Sequence, residues 1–179
     1  MIAALYVEKN GVYYDLPDVD PWDEERDARL YAGPWPVVAH PPCNRWVSYG
    51  DRAKRGADDG CFAAALDAVR SFGGVLEHPA RSQAWRAFAL PRPTGPSWVK
   101  TFDDPGWVCE IDQHLYGFPT RKLTWLYFVG DQPSQLPARR SNALRGCETL
   151  WSTERSKTPA AFRDLLLELA GSVQAEAVA

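Results

Sequence analysis

Apolar positions fall into short runs broken by proline, glycine and acidic clusters, and the period of each run decides what it can form. Ala3 to Val7 and Val12 to Leu16 flank Asn10-Gly11, two residues that accept positive φ, so the pattern predicts an amino-terminal β-hairpin. Asp20-Pro21 followed by Asp23, Glu24 and Glu25 has the acidic start of a helix, predicted to run to Tyr31 before Ala32-Gly33-Pro34 stops it. Pro36-Val37-Val38-Ala39-His40-Pro41-Pro42-Cys43 reads differently. It is an apolar strand, Val37 to His40, cut by two prolines that remove ladder donors and fix φ, with Cys43 delivered onto the loop beyond. A polar loop from Asn44 to Gly56 follows.

Asp58-Asp59 then caps a helix through Cys61, Phe62, Ala65, Leu66, Val69 and Phe72, whose apolar spacing is three and four, and Gly73-Gly74 ends it. Val75 to Pro79 is a second apolar strand cut by proline, which completes a strand–helix–strand unit. Ser82 to Leu90 reads as a short helix and Pro91 to Pro105 as a proline-rich loop. Trp107 to Ile111 and Thr124 to Val129 read as strands. Thr158-Pro159 opens a last helix with Phe162, Leu165, Leu166 and Leu169 on one face, and the tail after Gly171 is expected to fray. The expectation is one α/β domain: hairpin and helix over 1–33, a core with the candidate site over 34–130, and a loop with the carboxyl-terminal helix over 131–179.

Composition adds boundaries. A chain of 179 residues with 45% hydrophobic content has enough material for one substantial core. No apolar run reaches the ~18 residues that span a bilayer, and no secretory pattern opens the chain, so the expected compartment is the cytoplasm and no membrane is expected. The net charge of −3 argues against a protein that coats nucleic acid indiscriminately, while leaving room for a local basic groove. Cysteines 43, 61, 109 and 147 form no CxxC pair and read as reduced thiols. Paired knuckle ligands and the zinc-deaminase pattern are both missing, so no metal is expected.

The chemistry gathers at two strand ends. His40-Pro41-Pro42-Cys43 and Glu77-His78-Pro79 end the two strands of the strand–helix–strand unit, and adjacent parallel strands place such ends side by side. Cys43 is then a candidate thiol nucleophile, Glu77 a carboxylate for binding or protonating substrate, and His40 and His78 candidate pocket residues. A positive neighbour is expected to lower the Cys43 pKa. Arg45, Arg52, Lys54 and Arg55, interleaved with Trp46 and Tyr49, suit phosphate contact and base stacking, and Arg121, Lys122, Arg139, Arg140 and Arg145 add further cations. Cys61 and Cys147 receive no role.

Pro-Pro-Cys after an apolar strand resembles the nucleophile loop of cytosine-5 DNA methyltransferases, and Leu76-Glu77-His78-Pro79 resembles their later Glu-Asn-Val strand end. Gln113 to Trp125, with Tyr116-Gly117 and Arg121-Lys122-Leu123-Thr124-Trp125, is similar to phage-encoded methyltransferase-like proteins, as is Arg155 to Leu166. The resemblance covers most of the chain from residue 36 onward. It implies a three-layer Rossmann-like fold with a mixed sheet, and an enzyme of DNA base modification in a bacterial host. In that enzyme Cys43 would add to C6 of a flipped or single-stranded pyrimidine while Glu77 binds its exposed edge. It also implies S-adenosylmethionine as cofactor, yet Leu5 to Gly11 lacks the family's glycine-rich turn, so no cofactor-binding residue is assigned. Two alternatives stand beside this reading: a non-catalytic factor that binds DNA or a host protein through a degenerate fold, and an enzyme of free nucleotides.

Overall fold

The computed structural model describes residues 1–46, 56–136, 142–143 and 145–173. Its centre is a seven-stranded mixed sheet with strands in the order β2-β1-β3-β4-β7-β6-β5. The strands are β1 (Ile2–Leu5), β2 (Val19–Trp22), β3 (Val37–Ala39), β4 (Gly74–Pro79), β5 (Val99–Lys100), β6 (Trp107–Asp112) and β7 (Leu123–Val129). β2, β1, β3 and β4 are mutually parallel, whereas β7 runs antiparallel to both β4 and β6. The helices are α1 (Cys61–Phe72), α2 (Gln83–Ala87), α3 (Ser152–Arg155) and α4 (Ala160–Gly171).

Side-chain alternation splits the core between the two sheet faces. Leu5, Val37, Ala39, Leu76 and Tyr127 pack with Phe62, Leu66 and Val69 of α1. Ala4, Val38, Val75, Leu126 and Phe128 pack with Phe162, Leu166 and Leu169 of α4. The fold is therefore α/β, with helices on both faces. Among the described residues no helix is long and apolar enough to cross a membrane.

The central elements lie where the hydrophobic pattern puts them. The N-cap of α1 is Gly60 rather than the expected Asp58-Asp59, and Asp58 lies two residues before it, where its Oδ2 accepts from the Phe62 N–H at 2.9 Å and from Trp46 Nε1 at 2.8 Å. Ser82 caps α2 through the Ala84 N–H at 3.1 Å, and Pro159 sits at the α4 N-cap.

The amino-terminal third differs. Asn10-Gly11 does turn, with the Gly11 N–H bonded to the Glu8 carbonyl at 2.9 Å, but no hairpin forms. Both edges of β1 are already taken, by β2 and β3, so a returning arm has no ladder to join. The helix expected from Asp20-Pro21 is instead strand β2, and proline is tolerated there because β2 is the sheet edge. The acids that resemble helix-start signals serve other donors. Asp20 accepts from Trp22 Nε1 at 2.8 Å and from Arg26 at 2.6 Å, and Asp23 accepts from the Tyr14 hydroxyl at 2.6 Å and from the Glu25 N–H at 3.0 Å. A 3-10 turn at Ala28–Leu30 is the only helical element there among the described residues. The short edge strand β5, paired with β6, lies inside the segment expected to be a loop.

Candidate functional site

The chain leaves β1 toward β2 on one side and returns to β3 on the other, so the strand order reverses between β1 and β3. Loops leaving neighbouring parallel strands in opposite directions open a crevice at their carboxyl ends. A cavity of about 1010 Å³ lies at this point. Its walls come from Tyr6 to Glu8 and Gly11 to Tyr13 after β1, from His40 to Asn44 after β3, and from Glu77 and Pro79 of β4. Lys122, Leu123, Cys147 and the segment Arg155 to Thr158 complete it.

One wall is a hydrogen-bonded line of three side chains. Tyr13 Oη lies 2.7 Å from His40 Nε2, and His40 Nδ1 lies 2.9 Å from Glu77 Oε1. The His40 and Glu77 side chains are only 10% and 15% exposed, so the remaining opening faces the cavity. Burial opposes a charge on Glu77, but the hydrogen bond from His40 and the neighbouring Lys122 ammonium outweigh it and hold the carboxyl below its usual range. Burial, reinforced by Glu77, pushes the Tyr13 hydroxyl well above its ordinary pKa, so it keeps its proton. The arrangement that satisfies both ring nitrogens has Tyr13 donating to Nε2 and Nδ1–H donating to Glu77 Oε1. This leaves Glu77 Oε2 without a hydrogen-bond partner among the described residues and available to a ligand N–H.

Cys43 opens the next wall. β3 pairs through Ala39, Pro41-Pro42 ends the ladder, and the Cys43 carbonyl accepts from the Trp46 N–H at 2.9 Å to turn the chain. Burial and then Glu77 push the Cys43 thiol up from its ordinary value. Lys122 and Arg155 pull it down without offsetting them, so the expectation of a lowered pKa is corrected: at neutral pH the resting group is the thiol. Lys122, also on the lining, is half-buried, with Nζ donating to the Lys157 carbonyl at 3.3 Å and lying 4.7 Å from the Phe118 ring centre. Burial lowers the Lys122 pKa against the pull of Glu77, Cys147 and Cys43.

The structure thus brings Cys43, Glu77, His40 and Lys122 to one cavity and places the other sequence candidates elsewhere. His78 points to the opposite sheet face, as alternation requires, and is fully buried beside Phe62 and Trp85 at ring-centre distances of 5.1 and 6.5 Å. Trp46 is a core residue held by Asp58. Arg45 and Arg121 lie outside the lining among the described residues. The Arg121 backbone pairs with the 145–147 segment. Arg52, Lys54, Arg55, Tyr49, Arg139 and Arg140 lie outside the described residues, as does the tail from 174. Lining residues that the sequence did not single out for a site include Tyr13, read as a hairpin position, Cys147, given no role, and Arg155 and Lys157, read only as part of the Arg155 to Leu166 resemblance.

The segment after β1 does not fit the cofactor cradle that the family resemblance implies. Tyr6, not glycine, occupies the positive-φ position there (φ 60°), and no helix follows β1 among the described residues, so the amides that would meet a nucleotide are not supplied. Among the described residues no group of three or more His, Cys, Asp or Glu is placed to hold a metal ion. No protein-family model, curated protein or solved structure matches this chain.

Proposed function

We propose that the protein is a pyrimidine-modifying enzyme of nucleic acid, working through reversible addition of Cys43 to C6 of the base. The observation that carries this reading is the meeting of Cys43 and Glu77, from the ends of two adjacent parallel strands, on one cavity. The reversal of strand order beside that cavity supports a Rossmann-like, methyltransferase-like reading of the sheet.

The step balances without a co-reactant. The Cys43 S–H proton passes to a base or water in the pocket, Sγ bonds to C6, and the C5=C6 π pair moves to C5, where a proton is taken up. Reversal removes a proton from C5 and expels the thiol. Glu77, an acceptor when ionised, suits the exocyclic amino group of cytosine. A base must leave its stack to enter such a cavity, so a single-stranded or flipped base is the form that reacts. No step is routed through S-adenosylmethionine, because the segment after β1 does not fit it.

Incubation with a single-stranded cytosine-containing oligonucleotide in heavy water tests this directly. Wild type is expected to exchange the C5 hydrogen for deuterium, read by mass spectrometry, and Cys43→Ala to fall to background. Equal exchange by both proteins removes the nucleophile. Specific binding of the oligonucleotide by wild type with no exchange would instead favour a non-catalytic factor.

A further inference from the structure

Part of the cavity lining is cationic. Lys122, Arg155 and Lys157 all line it, beside Ser156 and Thr158. Lys122 feels the Glu77 carboxylate, which acts to raise its pKa against burial, so the cations without a matching acid are Arg155 and Lys157. Among the described residues neither Arg155 nor Lys157 forms an ion pair. The nearby acids have other partners, although Glu77 faces the cavity and the Glu148 charge is felt at Cys147. Glu154 Oε2 accepts from the Trp151 N–H at 3.1 Å. The Glu148 carboxylate folds against Gly146, where a Cβ would meet its Oε2 at 2.2 Å. Glu77 is engaged by His40. Burial, with Glu77 at Cys43 and Glu148 at Cys147, raises both thiols, and Lys122 and Arg155 oppose that rise at each without offsetting it.

Positive charge at Arg155 and Lys157 on a concave site that also holds a thiol and an acceptor carboxylate is complementary to a ligand that carries both an anion and an N–H edge. We infer that Lys122, Arg155 and Lys157 form a phosphate subsite that holds the phosphate of the nucleotide whose pyrimidine reaches Cys43. This deepens the function proposed above and rests on it for the identity of the base. Arg155 supplies a planar fork that can hold two phosphate oxygens, and the two lysines supply point charges. The subsite takes a phosphate monoester or diester by the same contacts, so a free nucleotide and a single strand are two sources of one chemistry.

Calorimetry with deoxycytidine, deoxycytidine monophosphate, inorganic phosphate and a short single-stranded oligodeoxycytidylate tests the subsite. Loss of one charge-assisted contact is worth about tenfold, so the monophosphate should bind at least that much more tightly than the nucleoside. Inorganic phosphate should compete with the monophosphate and not with the nucleoside. Arg155→Gln and, at an exposed position that leaves packing untouched, Lys157→Gln should each weaken monophosphate binding by about tenfold and leave deoxycytidine unchanged. Oligomer binding tighter than monomer, with a steep salt dependence, supports the subsite with a strand as source; monomer binding that excludes the oligomer supports it with a free nucleotide. Equal affinity for nucleoside and monophosphate, or unchanged monophosphate binding in both variants, overturns it. Phosphate discrimination without C5 exchange would sink the nucleophile alone, and exchange without discrimination would sink the subsite alone.

Discussion

Tyr13 reaches the site from a loop, and its hydroxyl fixes which nitrogen of His40 carries a proton. With Tyr13 donating to Nε2, the ring must present Nδ1–H to Glu77, which keeps Oε1 occupied and turns Oε2 to the cavity. Tyr13→Phe removes the donor without changing the ring that packs with Val7 and Phe162 in the same apolar cluster. An orphaned, mostly buried imidazole nitrogen costs about 1–2 kcal/mol, so a loss of that size is expected in urea unfolding. The C5-exchange rate should fall about tenfold at saturating oligonucleotide, because Glu77 loses its fixed orientation while the base still enters. An unchanged rate together with the stability loss would make Tyr13 a packing residue only. At this scale the sequence is legible for Cys43, because Pro-Pro forces a strand to stop, and for Glu77, because a carboxylate in an apolar strand needs a partner. It is silent on Tyr13, whose role depends on a loop meeting β3 across the sheet.

Glu77 owes its place to β4, whose start is set by Gly73, the cap of α1, and Gly74, its own first residue. Gly73 and Gly74 both have positive φ, and a Cβ on Gly74 would fall 2.0 Å from the Val37 carbonyl oxygen, on the neighbouring strand. Backbone meets backbone there, so nothing flexible can yield. Gly74→Ala is expected to lower unfolding free energy by at least about 2 kcal/mol, from the strained conformation and the clash together. It should also depress C5 exchange, since Glu77 lies three residues further along the same strand. A variant as stable as wild type in urea titration would show that β3 and β4 can separate locally. The strand–helix–strand unit is legible because its signals agree: apolar period, the Asp58 acceptor at the helix start, glycine stop and proline stop all point to one structure. The first thirty residues are not, because Asn10-Gly11 and Asp20-Pro21 are local signals overruled by sheet pairing. A hairpin arm cannot pair with a strand whose two edges are filled, and an N-cap aspartate can equally serve Trp22 and Arg26.

Across the whole molecule, the two faces of β4 carry opposite kinds of polar group. Glu77 faces the cavity and is charged and partnered, whereas His78 faces the aromatic core and is buried without a hydrogen bond of normal geometry at either ring nitrogen. Burial lowers the His78 pKa to about 4, against opposing pulls from Glu77 and the Pro42 backbone. The unfolded chain titrates its histidine near 6.5, so between pH 6.5 and about 4 it binds more protons at this position than the folded protein does. Stability must therefore fall as pH drops through that window, with the full cost reached below the folded pKa and none of it present above the unfolded one. A shift of this size corresponds to about 3 kcal/mol. Acidification also protonates carboxylates that are held below their usual range, Glu77 among them, so the His78 share has to be isolated by difference. His78→Leu keeps an apolar side chain beside Phe62 and Trp85, removes the titration and leaves no orphaned nitrogen. Urea unfolding at intervals from pH 7 to pH 4 should show wild type losing about 3 kcal/mol more than His78→Leu across the range. Parallel curves would mean that His78 takes up its proton within the fold, which requires the aromatic core around Phe62 and Trp85 to open to water at low pH.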